Sequence, residues 1–465
     1  PNVMVLPNPS NEEFVKFGNT RKCRSSQDGT WKIRMPALKA GTGIPFTVTD
    51  GRDTLSFSNV AAGEVWLCSG QSNMAFELKG ADTFSKEGLD DPMLRFYDMK
   101  SHLKTWGLVW SEEDAGKVAQ GKYYDRTRWN CSSEKTAGEF SAVGYYFGKM
   151  LRDSLNVPVG LICNAVGGTT TESFISRSAL EKVLPGFCDG WLEDESVMEW
   201  ARGRARENMS AFKGGYIQHP FMPGYLFEDG IRPLERFPIK GAIWYQGESN
   251  AENIPQHEIL FRTLVDCWRQ TWDNPDMPFY FVQLSSIERP TWPEFRNSQR
   301  LLSLEIPHCG MAVSSDLGHP TDVHPRAKKP VGERLARLAL RNDYGKQVEC
   351  LAPAATKAFL NDSGNVTVLF DSPISVQGTM PVRGFRICLE DGSEIPASAE
   401  ISGSDAVILS RDAGRPDAAA DSKNTKADSR TAIVKVKYAW DPWTDANLTG
   451  TTGLPVSTFD IEIGE

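Results

Sequence analysis

The sequence predicts a mixed α/β fold in which a parallel sheet covered by helices is flanked by β-rich segments. From about residue 60 to residue 345, short apolar segments of strand length alternate with segments whose apolar residues recur at helical spacing. Strands buried on both faces are apolar throughout, which is typical of parallel sheets between layers of helices. Before and after this region, apolar and polar residues alternate as in strands with one buried face. A chain of 465 residues is also too long for one compact core, so two or three domains are expected.

The segment before about residue 60 is predicted to be β structure. Apolar and polar residues alternate over residues 31–35 and again over residues 45–49. Asp50 and Gly51 follow directly and form a typical turn signal.

The central region contains the candidate strands of the parallel sheet, which are residues 65–68, 157–164, 242–245, 279–284 and 310–313. Residues 140–151 carry apolar side chains at helical spacing, and a further helix is predicted around residues 328–341. This alternation of strands and helices predicts parallel pairing.

After about residue 350 the alternating pattern returns, over residues 365–370 and 432–438. Residues 411–430, between these two segments, are rich in Ala and Asp, also contain Ser, Lys and Gly, and have almost no large apolar group. We therefore expect a long surface loop there.

Composition excludes several classes of protein. Hydrophobic residues make up 40% and charged residues 24%, and 51 Lys and Arg against 60 Asp and Glu give a net charge of −9. Nucleic acid and anionic membranes are therefore poor partners. No segment approaches the ~20 apolar residues that span a bilayer. The nine cysteines lack zinc-ligand spacing and are too few for a disulfide framework, although one or two bridges are allowed. The chain opens on Pro1 without an initiator Met, and no signal peptide is visible in it.

A candidate nucleophile, Ser72, follows the first strand of the central region. In a parallel sheet, ligands collect at the carboxyl ends of the strands. Residues 70–74 read GQSNM directly after such a strand. A serine at a tight strand-to-helix turn exposes its hydroxyl and can offer its backbone N–H to a developing oxyanion. The alternative is that Ser72 only caps a helix.

Two further motifs could supply hydrogen-bond donors. Gly167 and Gly168 follow the second strand, and a glycine pair lets backbone N–H groups approach a ligand closely. After the third strand, Gln246 and Asn250 offer side-chain amides. Residues 247–250 also repeat the G-x-S-N spelling of the first motif, so Ser249 remains an alternative nucleophile.

The candidate base comes from the loop at residues 316–325, which reads DLGHPTDVHP and precedes the last predicted helix. A serine nucleophile needs a base with a pKa near neutrality that a third group holds in one tautomer. Two of the six histidines, His319 and His324, fall in this loop. The other four are predicted to be surface or structural residues: His102, His219, His257 and His308.

Together these motifs resemble the SGNH hydrolase superfamily, and within it the sialate O-acetylesterases and related carbohydrate acetylesterases. The phrases that carry the resemblance are residues 63–74, 140–145, 240–251, 322–325 and 438–440, and the similarity extends from about residue 28 to 460. It implies an SGNH-type three-layer α/β/α domain over residues 61–345, flanked by β-sandwich-like segments. These flanks are an incomplete N-terminal β segment, residues 1–60, and a C-terminal β domain, residues 346–465.

The resemblance also implies catalytic roles. Ser72 would attack an acetyl carbonyl while His324 takes its proton. The backbone N–H groups of Ser72 and Gly168 and a side chain, with Asn250 preferred over Gln246, would hold the oxyanion. No metal and no cofactor are implied.

The acidic partner of the base departs from the superfamily's pattern. The usual acid lies three residues before the histidine, where this chain has Thr321. Asp322 lies two residues before His324, and in an extended chain such residues face the same way, so Asp322 is the candidate acid. A backbone carbonyl is the alternative. The literal D-x-x-H spelling is Asp316 to His319, which would make His319 the base.

The resemblance implies hydrolysis of acetyl esters of sialic acid through an acetyl-enzyme, outside the cytoplasm. Because a sialate carries a carboxylate, Arg296 and Arg289 are candidate substrate contacts, with exposure to solvent as the alternative. Gln71, beside the nucleophile, is another candidate contact. The competing hypotheses are an acetylesterase for plant polysaccharide, such as xylan or pectin, and an inactive carbohydrate-binding protein.

Overall fold

The structure is a computed structural model that describes residues 4–5, 27, 37–49, 52–378, 381–411 and 431–464. The strand predicted at residues 31–35, the turn at 50–51 and nearly all of the loop at 411–430 lie outside the described residues. The chain divides into two compact units. Unit 1 comprises Pro1–Trp244 and Thr263–Phe279, and unit 2 comprises Tyr245–Arg262 and Tyr280–Glu465.

Unit 1 alternates strands with helices. Its described strands are β1 (Met4–Val5), β2 (Gly41–Thr49), β3 (Thr54–Ala62), β4 (Glu64–Gly70), β5 (Asp91–Asp98), β6 (Asn130–Ser132), β7 (Val159–Ala165) and β8 (Gly241–Tyr245), the last residue of which belongs to unit 2. Its helices are α1 (Ser72–Ala75), α2 (Glu112–Val118), α3 (Glu134–Ala137), α4 (Ala142–Leu155), α5 (Arg177–Val183) and α6 (Glu199–Asn208). Short 3-10 or π-helical turns lie at Leu78–Gly80, Thr171–Phe174, Phe227–Ile231 and Arg232–Leu234.

The sheet of unit 1 contains parallel pairs, and one of them joins two predicted strands, residues 65–68 and 157–164. Its strands are neighbours in the order β8-β4-β7-β5-β6, and β7 pairs in parallel with both β4 and β5. Val65, Trp66 and Leu67 of β4 are fully buried, which explains why this strand is apolar throughout. On one face, Phe147 of α4 meets Trp66 edge to face, with ring centroids 5.1 Å apart. The mixed α/β prediction is therefore confirmed.

The remaining elements begin with α7 (Ile254–Thr271), whose residues from Thr263 onward belong to unit 1, and β9 (Phe279–Val282). Unit 2 continues with α8 (Trp292–Glu305), β10 (Cys309–Ala312), which is the neighbour of β9, and α9 (Lys328–Asn342). Its later strands are β11 (Ala355–Leu360), β12 (Val366–Phe370), β13 (Ile374–Val376), β14 (Phe385–Leu389), β15 (Glu394–Ser402), β16 (Ala406–Arg411), β17 (Ile433–Tyr438), β18 (Leu448–Gly450) and β19 (Phe459–Gly464).

Seven of these strands form a closed barrel in the order β11-β12-β16-β15-β14-β17-β19, where the sequence analysis predicts a sandwich-like segment, and β13 pairs with β18 in a separate two-stranded sheet. The barrel closes because β11 pairs on one side with β12 and on the other with β19, where Ala358 is opposite Ile463. Every second residue of a barrel strand points inward, and Val366, Val368 and Val436 are among those in the barrel core. Alternation predicts one buried face, which a sandwich and a barrel share, so it cannot distinguish between them.

Most predicted elements in the described residues are confirmed, with small shifts at their ends. The helix predicted at residues 140–151 begins at Ala142, because the side chain of Ser141 accepts a hydrogen bond from the Gly144 backbone N–H at 3.0 Å and caps it. The division into three domains at residues 60 and 345 stays a prediction. None of the described helices is long and apolar enough to cross a membrane. The cysteines in the described part of the chain form no disulfide.

Candidate active site

Ser72 lies at the predicted strand-to-helix turn of unit 1. Strand β4 ends at Gly70, and α1 begins at Ser72. The Ala75 backbone N–H donates to the Gln71 carbonyl at 2.9 Å, so Gln71 is the N-cap residue and Ser72 is not. This observation removes the helix-capping alternative for Ser72. The serine is partly exposed, whereas the Gln71 side chain is buried, and a contact between Gln71 and substrate stays a prediction.

The glycine pair lies beside Ser72. Because β4 and β7 are parallel and Gly70 is opposite Ala165, the segments that follow both strands leave the same edge of the sheet. The Val166 backbone N–H donates to the Gly70 carbonyl at 3.1 Å. A Cβ atom placed on Gly167 would lie 3.7 Å from the Ser72 Cβ. The fold thus brings together the first two motifs of the sequence analysis.

A side chain at Gly168 would be strained in this structure. Its φ is +79°, a region that other residues rarely adopt, and a Cβ atom would lie 2.3 Å from the Trp200 ring. The positive φ, together with the packing of Trp200, therefore favours glycine at this position, whatever its N–H does in catalysis.

A pocket of about 240 Å³ opens beside Ser72. Among its lining residues are Ser72, Val166 and Gly167 from the two motifs and, from a neighbouring loop, Lys100, Lys104, Thr105 and Trp106. Another cavity of unit 1, about 210 Å³ in volume, is lined by residues that include Arg177 and Tyr225 and by none of the predicted site residues. The Ser72 pocket is therefore the candidate substrate site.

Unit 2 holds the candidate base in the loop before α9. His324 is half-buried, and its backbone N–H donates to Asp322 Oδ1 at 2.8 Å. This contact is an Asx turn that shapes the loop. Burial, reinforced by the charges of Lys328 and Arg289 and opposed by that of Asp322, lowers the pKa of His324 below its ordinary value.

The alternative pair, Asp316 and His319, is arranged differently. Two guanidinium nitrogens of Arg334 each donate to an oxygen of Asp316 at 2.7 Å. His319 is exposed, and its Nδ1 accepts the backbone N–H groups of Thr321 at 3.2 Å and Asp322 at 3.1 Å. Asp316 forms a bidentate ion pair with Arg334, and the His319 ring accepts backbone hydrogen bonds from its own loop. These contacts favour His324 as the candidate base.

The amide donors of the third motif are coupled to each other. Gln246 Nε2 donates to Asn250 Oδ1 at 2.6 Å, which directs the Asn250 Nδ2 group away from Gln246. Gln246 is buried, whereas Asn250 is partly exposed. This arrangement leaves Asn250 as the preferred candidate donor to an oxyanion, and the roles of Asn250 and Gln246 stay predictions. Ser249, the alternative nucleophile, is only 7% exposed.

Arg296 requires a correction. The guanidinium is completely buried, and its nitrogens donate to Thr458 Oγ1 at 2.9 Å and to the carbonyl oxygens of Pro442 at 2.9 Å, Ala439 at 2.7 Å and Asp441 at 2.7 Å. Burial lowers its pKa to about 10. Because every nitrogen is used inside unit 2, Arg296 holds the chain around Asp441 in place and is not a substrate contact.

Arg289, the other predicted carboxylate contact, is exposed. Its guanidinium lies over the Trp292 ring, 4.9 Å from the centroid. A role for Arg289 in binding substrate stays a prediction.

Lys328 is a functional candidate that the sequence analysis missed. It begins α9, is almost completely buried, and places its Nζ 5.5 Å from the centre of the Tyr245 ring. Burial lowers the pKa of Lys328 to about 7. Its charge is one of the causes that lower the pKa of His324. In the sequence, the sign that Lys328 could affect the site was its position four residues after His324.

The remaining histidines are surface or structural residues, as predicted. His102 is exposed and lies 2.8 Å from Asp125. His219 and His257 are buried, and burial lowers the pKa of each to about 3. His308 has a φ of +55° in the turn before β10.

The fold of unit 1 defines a mixed α/β protein in which Ser72, at a strand-to-helix turn beside a glycine segment and a pocket, is the candidate nucleophile. Comparisons with known proteins narrow this class. A carbohydrate acetylesterase from Xanthomonas citri of known structure is 30% identical, with a TM-score of 0.73, and the match covers 93% of this chain and 88% of that one. Residues 209–341 match the family model described as carbohydrate esterase, sialic acid-specific acetylesterase.

Mammalian relatives agree with this assignment. Sialate O-acetylesterase of Mus musculus is 27% identical, over 89% of this chain and 80% of that protein. The Homo sapiens protein of the same name is 26% identical, over 95% of this chain and 82% of its own length. The chain therefore belongs to the sialate O-acetylesterase family of carbohydrate acetylesterases and is a hydrolase of the esterase type.

Proposed function

We propose that this enzyme removes O-acetyl groups from carbohydrates, with O-acetylated sialic acid as its substrate and Ser72 as its nucleophile. The observation that carries the proposal is the position of Ser72, at the edge of the sheet beside Gly167 and at a pocket of about 240 Å³. The names of the similar proteins support the substrate class.

In the proposed mechanism, Ser72 Oγ attacks the acetyl carbonyl carbon as His324 takes the hydroxyl proton. The carbonyl oxygen becomes negatively charged, and the N–H groups of Ser72 and Gly168 and the Nδ2 group of Asn250 donate to it. Each such donor is worth about 3 to 4 kcal/mol of transition-state stabilisation. Collapse of this adduct breaks the bond to the sugar oxygen, which leaves with the proton from His324, and an acetyl-enzyme remains.

Water completes the reaction. His324 takes a proton from a water molecule, whose oxygen attacks the acetyl group, and acetate leaves as the Ser72 hydroxyl regains the proton. The mechanism requires the Ser72 hydroxyl and the His324 ring to come within hydrogen-bonding distance. We assign the orientation of the His324 ring to Asp322, supported by the effect of the Asp322 charge on the pKa of His324, with a backbone carbonyl as the alternative.

The finer points of architecture and location belong to the same proposal. The family resemblance supports a three-layer α/β/α arrangement over residues 61–345, between a β segment at 1–60 and a β domain at 346–465. Action outside the cytoplasm is proposed on the same ground.

The test of function is acetate release from O-acetylated sialic acid compared with acetylated xylan at equal ester concentration. We expect a higher kcat/KM for the sialic acid ester, with deacetylated sugars as controls for background acetate. A higher kcat/KM for acetylated xylan would replace the proposed substrate with a plant polysaccharide. Failure to hydrolyse either sugar or p-nitrophenyl acetate would favour a binding protein.

The pH dependence of kcat/KM tests the environment of His324. The base must be neutral to accept a proton, and burial and two neighbouring cations lower its pKa below the ordinary value of 6.5. We therefore expect kcat/KM for p-nitrophenyl acetate to rise with pH through a midpoint below 6.5 and then to level off. A midpoint above pH 7, or a flat profile from pH 4 to pH 8, would contradict this assignment.

A further inference from the structure

We propose that Trp106 and Lys104 form a sugar-recognition platform at the Ser72 pocket, where Trp106 stacks on the pyranose ring and Lys104 contacts the sugar carboxylate. This inference rests on the proposed function and names the residues that select its substrate. It also provides the cationic contact that Arg296, buried among carbonyl oxygens, does not provide.

The first observation is the exposure of Trp106. Its side chain is 66% exposed although it is a large aromatic group, and it lines the same pocket as Ser72. A large aromatic face left in contact with water beside a nucleophile is suited to an apolar partner. The C–H face of a pyranose ring is such a partner, and its hydroxyl groups remain in water.

The second observation is that the loop is held in place on both sides of Trp106. Thr105 is buried, and its Oγ1 donates to the Gly167 carbonyl at 2.9 Å. Trp110 is also buried, and its indole N–H donates to the Lys104 carbonyl at 2.8 Å. The loop is therefore attached directly to the segment beside the nucleophile, so Trp106 is preorganised to position a sugar near Ser72.

The third observation is the uncompensated charge of Lys104. Two lysines line the pocket, and Lys100 lies 3.0 Å from Asp98 and 3.4 Å from Glu77, so its charge is balanced. Lys104 is exposed and forms no ion pair with any residue that the structure describes. In a protein whose net charge is −9, this lysine favours an anionic group at the pocket, and the carboxylate of a sialic acid fits that requirement.

The experiment compares Trp106→Ala and Lys104→Gln with two control variants. Leu108→Ala changes an exposed apolar residue of the same loop, and Lys135→Gln changes an exposed lysine of α3. Each protein is assayed with O-acetylated sialic acid, an acetylated xylo-oligosaccharide and p-nitrophenyl acetate, which lacks a sugar ring. Circular dichroism establishes that every variant is folded.

We expect Trp106→Ala to lower kcat/KM for both sugar esters, relative to p-nitrophenyl acetate, by about tenfold. Lys104→Gln should lower the ratio for the sialic acid ester alone, by about fivefold, and should weaken its dependence on salt. The control variants should leave both ratios within about twofold of the unchanged protein, because neither side chain lines the pocket.

Equal losses on all three substrates would mean that these variants disturb the nucleophile, and the platform would be rejected. Unchanged ratios would reject it as well. If the unchanged enzyme cleaves the xylo-oligosaccharide but not the sialic acid ester, the proposed substrate and the proposed role of Lys104 are both rejected. The effect of Trp106→Ala on kcat/KM for the xylo-oligosaccharide, relative to p-nitrophenyl acetate, then still tests the role of Trp106. If no ester is cleaved, calorimetric titration with free sialic acid decides, since both variants must then weaken binding.

Discussion

Replacing Ser72 with alanine is expected to lower kcat for acetyl esters by at least about three orders of magnitude, since the covalent route is lost and only binding and oxyanion stabilisation remain. The side chain is small and partly exposed, so the fold should tolerate its loss. Turnover of p-nitrophenyl acetate and acetate release from the sugar ester measure the effect. Mass spectrometry of quenched reactions should show one added acetyl group on the unchanged enzyme and none on Ser72→Ala.

The matched control is Ser249→Ala, because Ser249 lies in the other G-x-S-N motif of the chain. This serine is 7% exposed, whereas Ser72 lines the pocket. We expect Ser249→Ala to retain most of the activity. If Ser249→Ala were inactive and Ser72→Ala active, the nucleophile would be Ser249 and the proposed mechanism would have to be rebuilt.

Replacing His324 with alanine is expected to lower kcat by about three to four orders of magnitude, because a serine hydroxyl is a weak nucleophile without a base to take its proton. The loss should be largely in kcat, since the imidazole acts during bond formation. The acid limb of the pH profile should disappear with the histidine, a change that a merely structural role would not produce.

His319→Ala is the control for this variant. His319 is exposed, and its ring accepts two backbone N–H groups of the loop, so its removal should loosen the loop and cost much less activity than the loss of His324. A larger loss at His319 would mean that the D-x-x-H spelling identifies the base. Asp322→Asn should produce an intermediate loss if Asp322 orients the ring, and almost none if a backbone carbonyl does so.

What could be predicted from the sequence depends on local pattern. A run of apolar residues ending at Gly70 predicts a buried strand, and Ser72 after it predicts a turn, because backbone preference and burial act over a few neighbouring residues. The structure confirms both features. Helix α4 was predicted from its local pattern in the same way. The position of Gly167 near Ser72 was also predictable, because two neighbouring parallel strands end at the same edge of a sheet.

Pairing between distant residues was decided only by the tertiary structure. The barrel closes because Ala358 is opposite Ile463, a pairing that alternation alone does not specify. The backbone carbonyl oxygens around Asp441 accept hydrogen bonds from the guanidinium of Arg296. From the sequence, Arg296 was predicted to contact the substrate.

The sequence by itself determined most of the central strands, the helices α4 and α9 and the turn at Ser72, because each depends on short-range preference. The tertiary structure decided that the guanidinium of Arg296 is buried and that the ammonium of Lys104 remains exposed at the pocket. Thr105 attaches the loop of Lys104 and Trp106 to the Gly167 carbonyl, and no motif marks that loop. The physical reason is that burial and hydrogen-bond partners depend on the surrounding atoms, many of which come from remote parts of the chain.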